Sequence, residues 1–268
     1  MRHGIYLPPI GSFGDVHALI DIAIATEECG WDGFFLWDHV HYEPPAPLAD
    51  AWVTLSAIAA STTTIRLGPL VTPLPRRRPW KLAREAVTLD HLSRGRVVLG
   101  VGLGIDFWHE FSSFGEEATD DVERARLLDE GIEVITRLWS GEPTSYRGRR
   151  LTVEGAQFLP PPVQQPRIPI WSAALWPPAR RGPITRAARC DGVMPFTGAA
   201  MSPDAAAEVR RTVRTERGDD AFDLCVWGPA DEADAFDAAG VTCLLQAAGP
   251  DDSATDLRQL IDAGPPGG

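Results

Sequence analysis

Short apolar runs alternate with amphipathic segments along the whole chain. Runs such as "HGIYLP" and "GFFLWDHV" predict strands, because they are short and rich in β-branched and aromatic residues. The segments between them predict helices, since their apolar residues recur three and four positions apart. In residues 120–139 these apolar positions are Val122, Ala125, Leu128, Ile132, Ile135 and Leu138.

The pattern yields eight strand candidates, each followed by a helix candidate. The strand candidates are "HGIYLP", "GFFLWDHV", "TIRLGPLVTP", "RVVLGVGLG", "IPIWSAAL", "DGVMPF", "DLCVWG" and "VTCLLQA". Such alternation predicts parallel strands, and eight repeats predict a single-domain α/β fold, the (β/α)8 TIM barrel, over residues 1–263. A doubly wound open sheet is the alternative.

Two segments depart from this rhythm. Residues 141–169 are rich in Pro, Gly and Gln, which predicts a small hairpin and an extended crossing. The tail "GPPGG", residues 264–268, is expected to be disordered.

Local signals mark several helix ends. Asp15 is expected to cap a helix that stops at Gly30. Pro79 suits the first position of the third helix, and Ser202 with Pro203 begins a helix that runs to Gly218. These signals fix boundaries that periodicity alone leaves open.

Charge and composition exclude some partners. The net charge of −12 argues against nucleic acid or an anionic membrane as the main partner, since both need a basic surface. No apolar run approaches the 18 residues or so of a membrane span, and no signal peptide is visible. Four cysteines without C-x-x-C spacing fit a reducing compartment, which predicts a cytoplasmic protein.

The glycines of "RVVLGVGLG" raise the question of a phosphate-binding loop. The dinucleotide fingerprint G-x-G-x-x-G requires a third glycine, but that position is Ile105 counted from Gly100 and Phe107 counted from Gly102. The stretch is therefore interpreted as a barrel strand whose glycines permit close approach near its carboxyl end. In barrels, active sites lie at that end.

Aromatic residues and histidines cluster at the expected strand ends. Four tryptophans lie on or beside these ends: Trp37, Trp108, Trp171 and Trp176. They indicate a flat aromatic ligand or a large apolar pocket, although core packing is the simpler explanation for each one alone. His39 and His41 form H-x-H, as in metal-dependent barrel hydrolases, but later strand ends add only His109.

Several segments resemble the bacterial luciferase-like flavin-dependent oxidoreductases over residues 4–196. They are "GWDGFFLWDHV", "IRLGPLVTP", "PWKLAREAVTLDHLSRGRVVLGVGLG" and "PRIPIW...RAARCDGVMPF". The resemblance implies a (β/α)8 barrel that binds FMN or the deazaflavin coenzyme F420 at its carboxyl-terminal mouth. It also implies a homodimer, since most members are dimers.

The resemblance further implies roles for residues after the second and third strands. Asp38 is expected to contact the cofactor, and His39 to act near its reactive ring. The peptide between Pro69 and Leu70 falls where the family often has a cis bond, which would press the backbone against the ring. Thr72 is expected to hydrogen-bond the ring edge or the tail.

Later strand ends complete the implied site. Gly102 and Gly104 would leave room for the ring, and Asp106 is the nearest candidate proton donor. The cofactor phosphate would bind backbone N–H groups of the strand-five exit beside the next helix N-terminus. This exit consists of Ser172, Ala173, Ala174 and Leu175. Relatives have Gly-Gly where this chain has Ala173-Ala174; Arg180 and Arg181 either compensate or are solvated surface residues.

The cofactor and the reaction follow from the resemblance. The Asp-His pair and the compact "GPLVTP" strand favour F420 over FMN, and with it hydride transfer to or from a small organic substrate. With FMN the chain would be a two-component monooxygenase that uses O2, and with either cofactor a separate flavin or F420 reductase is a possible partner. A third hypothesis is that the chain is a non-catalytic flavin-binding relative. The aromatic mouth hints at an apolar or aromatic substrate.

Overall fold

The fold is a barrel of parallel strands surrounded by helices. A computed structural model describes residues 1–116, 120–218 and 220–267. Its strands are β1 (Arg2–Leu7), β2 (Gly33–Leu36), β3 (Arg66–Pro69), β4 (Thr72–Pro73), β5 (Leu99–Gly102), β6 (Thr144–Arg147), β7 (Thr152–Ala156), β8 (Ile170–Leu175), β9 (Gly192–Phe196), β10 (Asp223–Trp227) and β11 (Cys243–Ala247). Its α-helices are α1 (Val16–Glu28), α2 (Ala51–Ser61), α3 (Pro79–Ser93), α4 (Asp121–Leu138), α5 (Gly182–Ala187), α6 (Pro203–Arg217), α7 (Ala233–Ala238) and α8 (Ala254–Asp262).

The parallel sheet closes on itself. Its order is β3-β2-β1-β11-β10-β9-β8-β5-β4, and β3 and β4 are two halves of one barrel strand. β4 pairs with β5, and Leu67 of β3 forms a parallel bridge with Val97, just before β5. Counting β3 and β4 together, the described residues form a ring of eight strands, which confirms the predicted barrel and excludes the open sheet.

Alternating side chains fill the barrel. Those that point inward form one buried cluster: Tyr6, Phe35, Leu70, Val98, Trp171, Met194, Cys225, Cys243 and Leu245. Side chains on the outer face of the strands pack against the helices in two further clusters. The interior is thus a packed core, so any ligand must bind above it, at one end.

The predicted helix ends are mostly confirmed. Asp15 accepts a hydrogen bond from the Ala18 N–H, and α1 ends before Gly30, whose φ is +83°. α3 begins at Pro79 and α6 follows the cap Ser202. The predicted strand 64–73 is wrong as one continuous strand, because a bulge separates β3 from β4.

The irregular segment also matches its prediction. β6 and β7 form an antiparallel hairpin, which Glu130 of α4 anchors by accepting hydrogen bonds from the backbone N–H groups of residues 149–151. Residues 264–267 are described and follow α8 in a turn, with the Gly264 N–H donating to Ile261 O; disorder of the tail stays a prediction, and Gly268 lies outside the described residues. In the described part of the chain, no helix is long and apolar enough to cross a membrane.

Candidate active site

The carboxyl ends of the strands form a mouth with an aromatic and aliphatic floor. By the alternation of each strand, the uppermost inward positions include Tyr6, Trp37, Leu175, Phe196 and Trp227. The Tyr6 and Trp37 rings lie 5.8 Å apart, and the Phe196 and Trp227 rings 6.0 Å apart. Leu175 and Phe196 are register partners and remain 63% and 39% exposed. The floor therefore offers an uncovered apolar surface at the mouth.

Asp38 lies at the β2 end of this mouth and is almost completely buried. Its carboxylate accepts hydrogen bonds from Thr72 Oγ1 at 2.8 Å and Trp52 Nε1 at 3.2 Å. Arg77 Nη2 lies 2.8 Å from both carboxylate oxygens. The structure thus brings together Asp38 and Thr72, two of the residues predicted for the site. Because their hydrogen bonds are made within the protein, they hold the β2 and β4 ends together, and contact with a cofactor stays a prediction.

His39 follows Asp38 and is held by a glutamate that the sequence did not reveal. Its Nδ1 lies 2.7 Å from Glu110 Oε2, and Glu110 also accepts from the Val40 N–H at 2.8 Å. This arrangement favours the tautomer with the proton on Nδ1, which leaves Nε2 free to accept a proton. His39 is therefore an oriented candidate general base.

Arg76 links Glu110 to Asp38. It donates to Glu110 Oε1 at 2.7 Å and to the Asp38 carbonyl oxygen at 2.9 Å. Burial alone would raise the pKa of Glu110, but the His39 hydrogen bond and the Arg76 charge outweigh it, so this pKa lies below its usual value. Glu110 is thus a buried carboxylate that stays ionised at neutral pH.

The bulge between β3 and β4 corrects one prediction. The cis peptide that is not X-Pro joins Leu70 to Val71, one residue after the expected Pro69–Leu70 bond. The glycines of β5 accommodate this bulge: a Cβ on Gly102 would lie 2.7 Å from the Val71 side chain. A Cβ on Gly104 would lie 2.9 Å from the Phe111 ring. The room beside both glycines is therefore filled by the protein itself, and their contact with a ligand stays a prediction.

Asp106 is poorly suited to donate a proton. Its Oδ1 accepts hydrogen bonds from the backbone N–H groups of Phe111 at 2.8 Å and Ser112 at 3.2 Å. The Phe111 N–H holds the pKa of Asp106 below its usual range. An ionised carboxylate that caps a turn fixes the loop after β5, and nothing in this geometry supports the predicted acid role.

The carboxyl end of β8, which the sequence analysis counts as the fifth strand, differs in part from the expected phosphate site. Ser172 is fully buried, Ala174 nearly so, and Ala173 partly. The helix α5 begins only at Gly182 and has six residues, so the expected field of its N-terminus is weak here. Arg181 pairs with Glu216, whereas Arg180 is exposed and has no polar partner among the described residues. Arg180 is thus the cation available to an anion at this exit.

One buried hydrogen-bond donor at the mouth has no partner in the described part of the protein. The Trp37 Nε1–H is buried without a hydrogen-bond partner, although its ring packs at the top of the barrel core. Buried donors are normally satisfied, so an acceptor on a ligand would complete this one. A flat heteroaromatic ring with acceptor atoms fits this donor and the apolar floor. By contrast, no group of three or more His, Cys, Asp or Glu side chains in residues 1–116, 120–218 and 220–267 could hold a metal ion.

The charged partners of Asp38 and His39 have little signal in the sequence. Arg76 and Arg77 lie in "PRRRP" and resemble solvated arginines, while Glu110 lies 71 positions from His39. Only the folded loops bring these charges together. The Asp-His pair at the end of a buried strand was the feature that could be recognised.

Comparison with known proteins finds a matching family model and several similar curated proteins. A family model described as luciferase-like monooxygenase matches residues 2–231. An F420-dependent glucose-6-phosphate dehydrogenase from Microbacterium testaceum is 37% identical over 168 residues, which cover 61% of this chain and 48% of that protein. The chain spans about half the length of the curated relatives it matches.

Solved structures share the barrel. The F420-dependent tetrahydromethanopterin reductase from Methanopyrus kandleri has a TM-score of 0.77 and 19% identity, with 97% of this chain and 96% of that chain covered. The monooxygenase RslO1 from Streptomyces bottropensis has a TM-score of 0.71 and 22% identity, with 98% and 79% covered. At these identities the likeness concerns the fold.

Proposed function

The chain belongs to the luciferase-like monooxygenase family, and from this premise we propose that it is an F420-dependent oxidoreductase acting on a small organic substrate. The observation that carries the choice of cofactor is the 37% identity to a relative named for its F420 dependence. Bound F420 would supply a carbon centre that accepts or donates a hydride. The protein contributes binding, orientation and proton transfer.

His39 is the proposed proton-transfer group. The Glu110 carboxylate fixes the Nδ1 side of the His39 ring. The Nε2 atom would therefore accept the proton that the substrate loses together with its hydride, and would return this proton in the reverse reaction. The rings of Trp37 and Trp108 flank the imidazole at 5.9 Å and 4.9 Å, which excludes water from two sides.

The ring and tail of the cofactor have separate proposed sites. The apolar floor and the Trp37 Nε1–H would receive the ring, beside the bulge Pro69–Val71. The backbone of residues 172–175 with the Arg180 guanidinium would receive the phosphate. Gly102 and Gly104 shape the opposite wall through Val71 and Phe111.

Titrations with F420 and with FMN test this proposal. We expect F420 to bind at least about tenfold more tightly than FMN, measured by cofactor fluorescence. Arg180→Ala should weaken F420 binding severalfold, whereas Arg211→Ala, an exposed arginine of α6, should not change it. Preference for FMN would replace the proposal with an oxygen-using monooxygenase, and binding of neither cofactor would refute both.

We also propose that the chain is a cytoplasmic homodimer. Helices α2 and α3 border a groove of about 380 Å³, beside which Val53 and Leu92 are 67% and 45% exposed. Such apolar exposure is typical of a surface that meets a partner. Light scattering with Val53→Glu tests this: the variant should be monomeric. The free cysteines of the described residues support a reducing compartment, and a separate F420 reductase is the proposed redox partner.

A further inference from the structure

The loops around His39 indicate the class of substrate. We infer that they bind an uncharged aromatic or apolar molecule and reject a sugar phosphate, an inference that rests on the proposed function. Substrate choice would then differ from that in the names of the curated relatives.

A continuous chain of ring contacts leads from the barrel core to solvent. The ring centroids of Tyr6 and Trp37 lie 5.8 Å apart, and those of Trp37 and His39 lie 5.9 Å apart. His39 contacts Trp108 at 4.9 Å, and Trp108 contacts Phe107 at 5.5 Å. The candidate base is therefore one ring in an aromatic wall, so a substrate that reaches it lies against aromatic faces and edges.

The outer part of this wall is uncovered. Phe107, at the outer end of the wall, is 75% exposed. Phe114, on the same loop after β5, contacts the His41 ring and is 60% exposed. Ile105 on the same loop and Val40 on the loop after β2 are 46% and 44% exposed. Large apolar side chains gathered around one opening are typical of a binding surface for an apolar ligand.

The charges of the same loops disfavour an anion. The loops 37–50 and 103–116 contain no lysine or arginine. Their acidic residues are Asp38, Glu43, Asp50, Asp106, Glu110 and Glu116. A phosphate dianion here would meet repulsion and would lack the charged donors that normally bind phosphate.

Three cations near these loops are already paired with carboxylates. Arg76 is bound to Glu110, and Arg77 to Asp38 and Glu85. The single lysine, Lys81, pairs with Glu85 on α3. Arg180 lies after β8, on a different part of the rim, where the cofactor phosphate is proposed. Arg78, at the N-cap of α3, is exposed and has no polar partner among the described residues, but it lies outside the two loops that surround His39. The arginines that bind residues of these loops, Arg76 and Arg77, are already paired with carboxylates.

Binding calorimetry with three probes tests the inference. The probes are 2-naphthol, 2-naphthyl phosphate and glucose 6-phosphate, each added to the full chain with and without saturating F420. We expect 2-naphthol to bind at least about tenfold more tightly than its phosphate ester, and glucose 6-phosphate to bind too weakly to measure. Equal or tighter binding of either phosphate would overturn the inference.

A variant locates the site. Phe107→Ser should weaken 2-naphthol binding about fivefold to tenfold, because the variant loses the contact between the exposed Phe107 ring and the bound probe. Leu159→Ser removes a similarly exposed apolar side chain, 60% exposed and outside the barrel mouth, and should leave the affinity unchanged. Unchanged binding in Phe107→Ser would overturn the inference. F420 titration of the same samples distinguishes failure of the proposed function from failure of this inference. Absence of F420 binding would refute the proposed function, whereas the order of the three probe affinities tests the substrate class.

Discussion

Replacement of Glu110 by glutamine is the most informative test of the buried charge network. The Glu110 side chain is 1% exposed and faces three donors: His39 Nδ1, the Val40 N–H and Arg76 Nη1, at 2.7, 2.8 and 2.7 Å. Glutamine keeps the shape but removes the charge opposite Arg76, whose side chain is 7% exposed. Breaking a buried ion pair from one side costs about 3–5 kcal/mol.

Part of this loss is offset by Asp38. Arg76 retains its hydrogen bond to the Asp38 carbonyl oxygen and lies 3.5 Å from its carboxylate. We therefore expect Glu110→Gln to lower the free energy of unfolding by about 2–3 kcal/mol at pH 7, measured by urea denaturation. The matched control is Glu43→Gln, since Glu43 is 47% exposed and pairs with His41 at 3.3 Å. The control should cost less than about 0.5 kcal/mol.

The pH dependence of this difference has a definite sign. The pKa of Glu110 is lowered in the folded chain, so its stabilisation is present above the usual glutamate pKa of 4.5 and is lost as the pH falls through the folded value. The difference in unfolding free energy between wild type and Glu110→Gln should therefore shrink as the pH falls below 4.5. Equal losses in Glu110→Gln and Glu43→Gln at pH 7 would refute the network, as would a gap that grows in acid.

Three further substitutions test other parts of the account. His39→Ala should lower kcat/KM by about 10²–10⁴ with F420 and a reactive alcohol or ketone, while replacement of the exposed His17 of α1 by alanine should not. Unchanged turnover with intact F420 binding would remove His39 from the mechanism. Gly68→Ala places a Cβ 1.9 Å from the Val98 carbonyl oxygen and should cost about 2–3 kcal/mol of unfolding free energy by thermal denaturation. A Cβ on Gly182 would meet no atom within 4 Å, so Gly182→Ala should change the free energy of unfolding by less than about 0.5 kcal/mol. Equal losses in the two glycine variants would contradict the close packing at Gly68. Asp106→Asn should change kcat less than about threefold, since its oxygen caps a turn; a hundredfold loss would restore it as the proton donor.

The alternation of strands and helices was readable from the sequence because each signal is local. Asp15 and Pro79 mark helix starts through their own backbone chemistry, and the barrel follows from repeated strand–helix units. The position of the bulge was predicted one residue too early, since it depends on how Leu70 and Val71 pack against β5.

The site was predictable only in part. The Asp38–His39 pair stands out at the end of a buried strand, whereas its partners come from two other loops. Charged residues such as Arg76 and Glu110 are normally expected at the surface, and only the closed barrel buries them together. Long-range burial of charge leaves no periodic trace, so such residues are found from the fold.

Hydrogen–deuterium exchange with and without saturating F420 shows whether the cofactor binds at the barrel mouth. We expect F420 to protect four segments of this mouth: residues 36–42, 69–73, 102–111 and 172–181. The β6–β7 hairpin, on which no part of the site lies, should exchange equally in both samples. Protection confined to other regions, or no protection at a concentration of F420 that saturates its fluorescence change, would contradict the claim that this chain binds the cofactor at its barrel mouth.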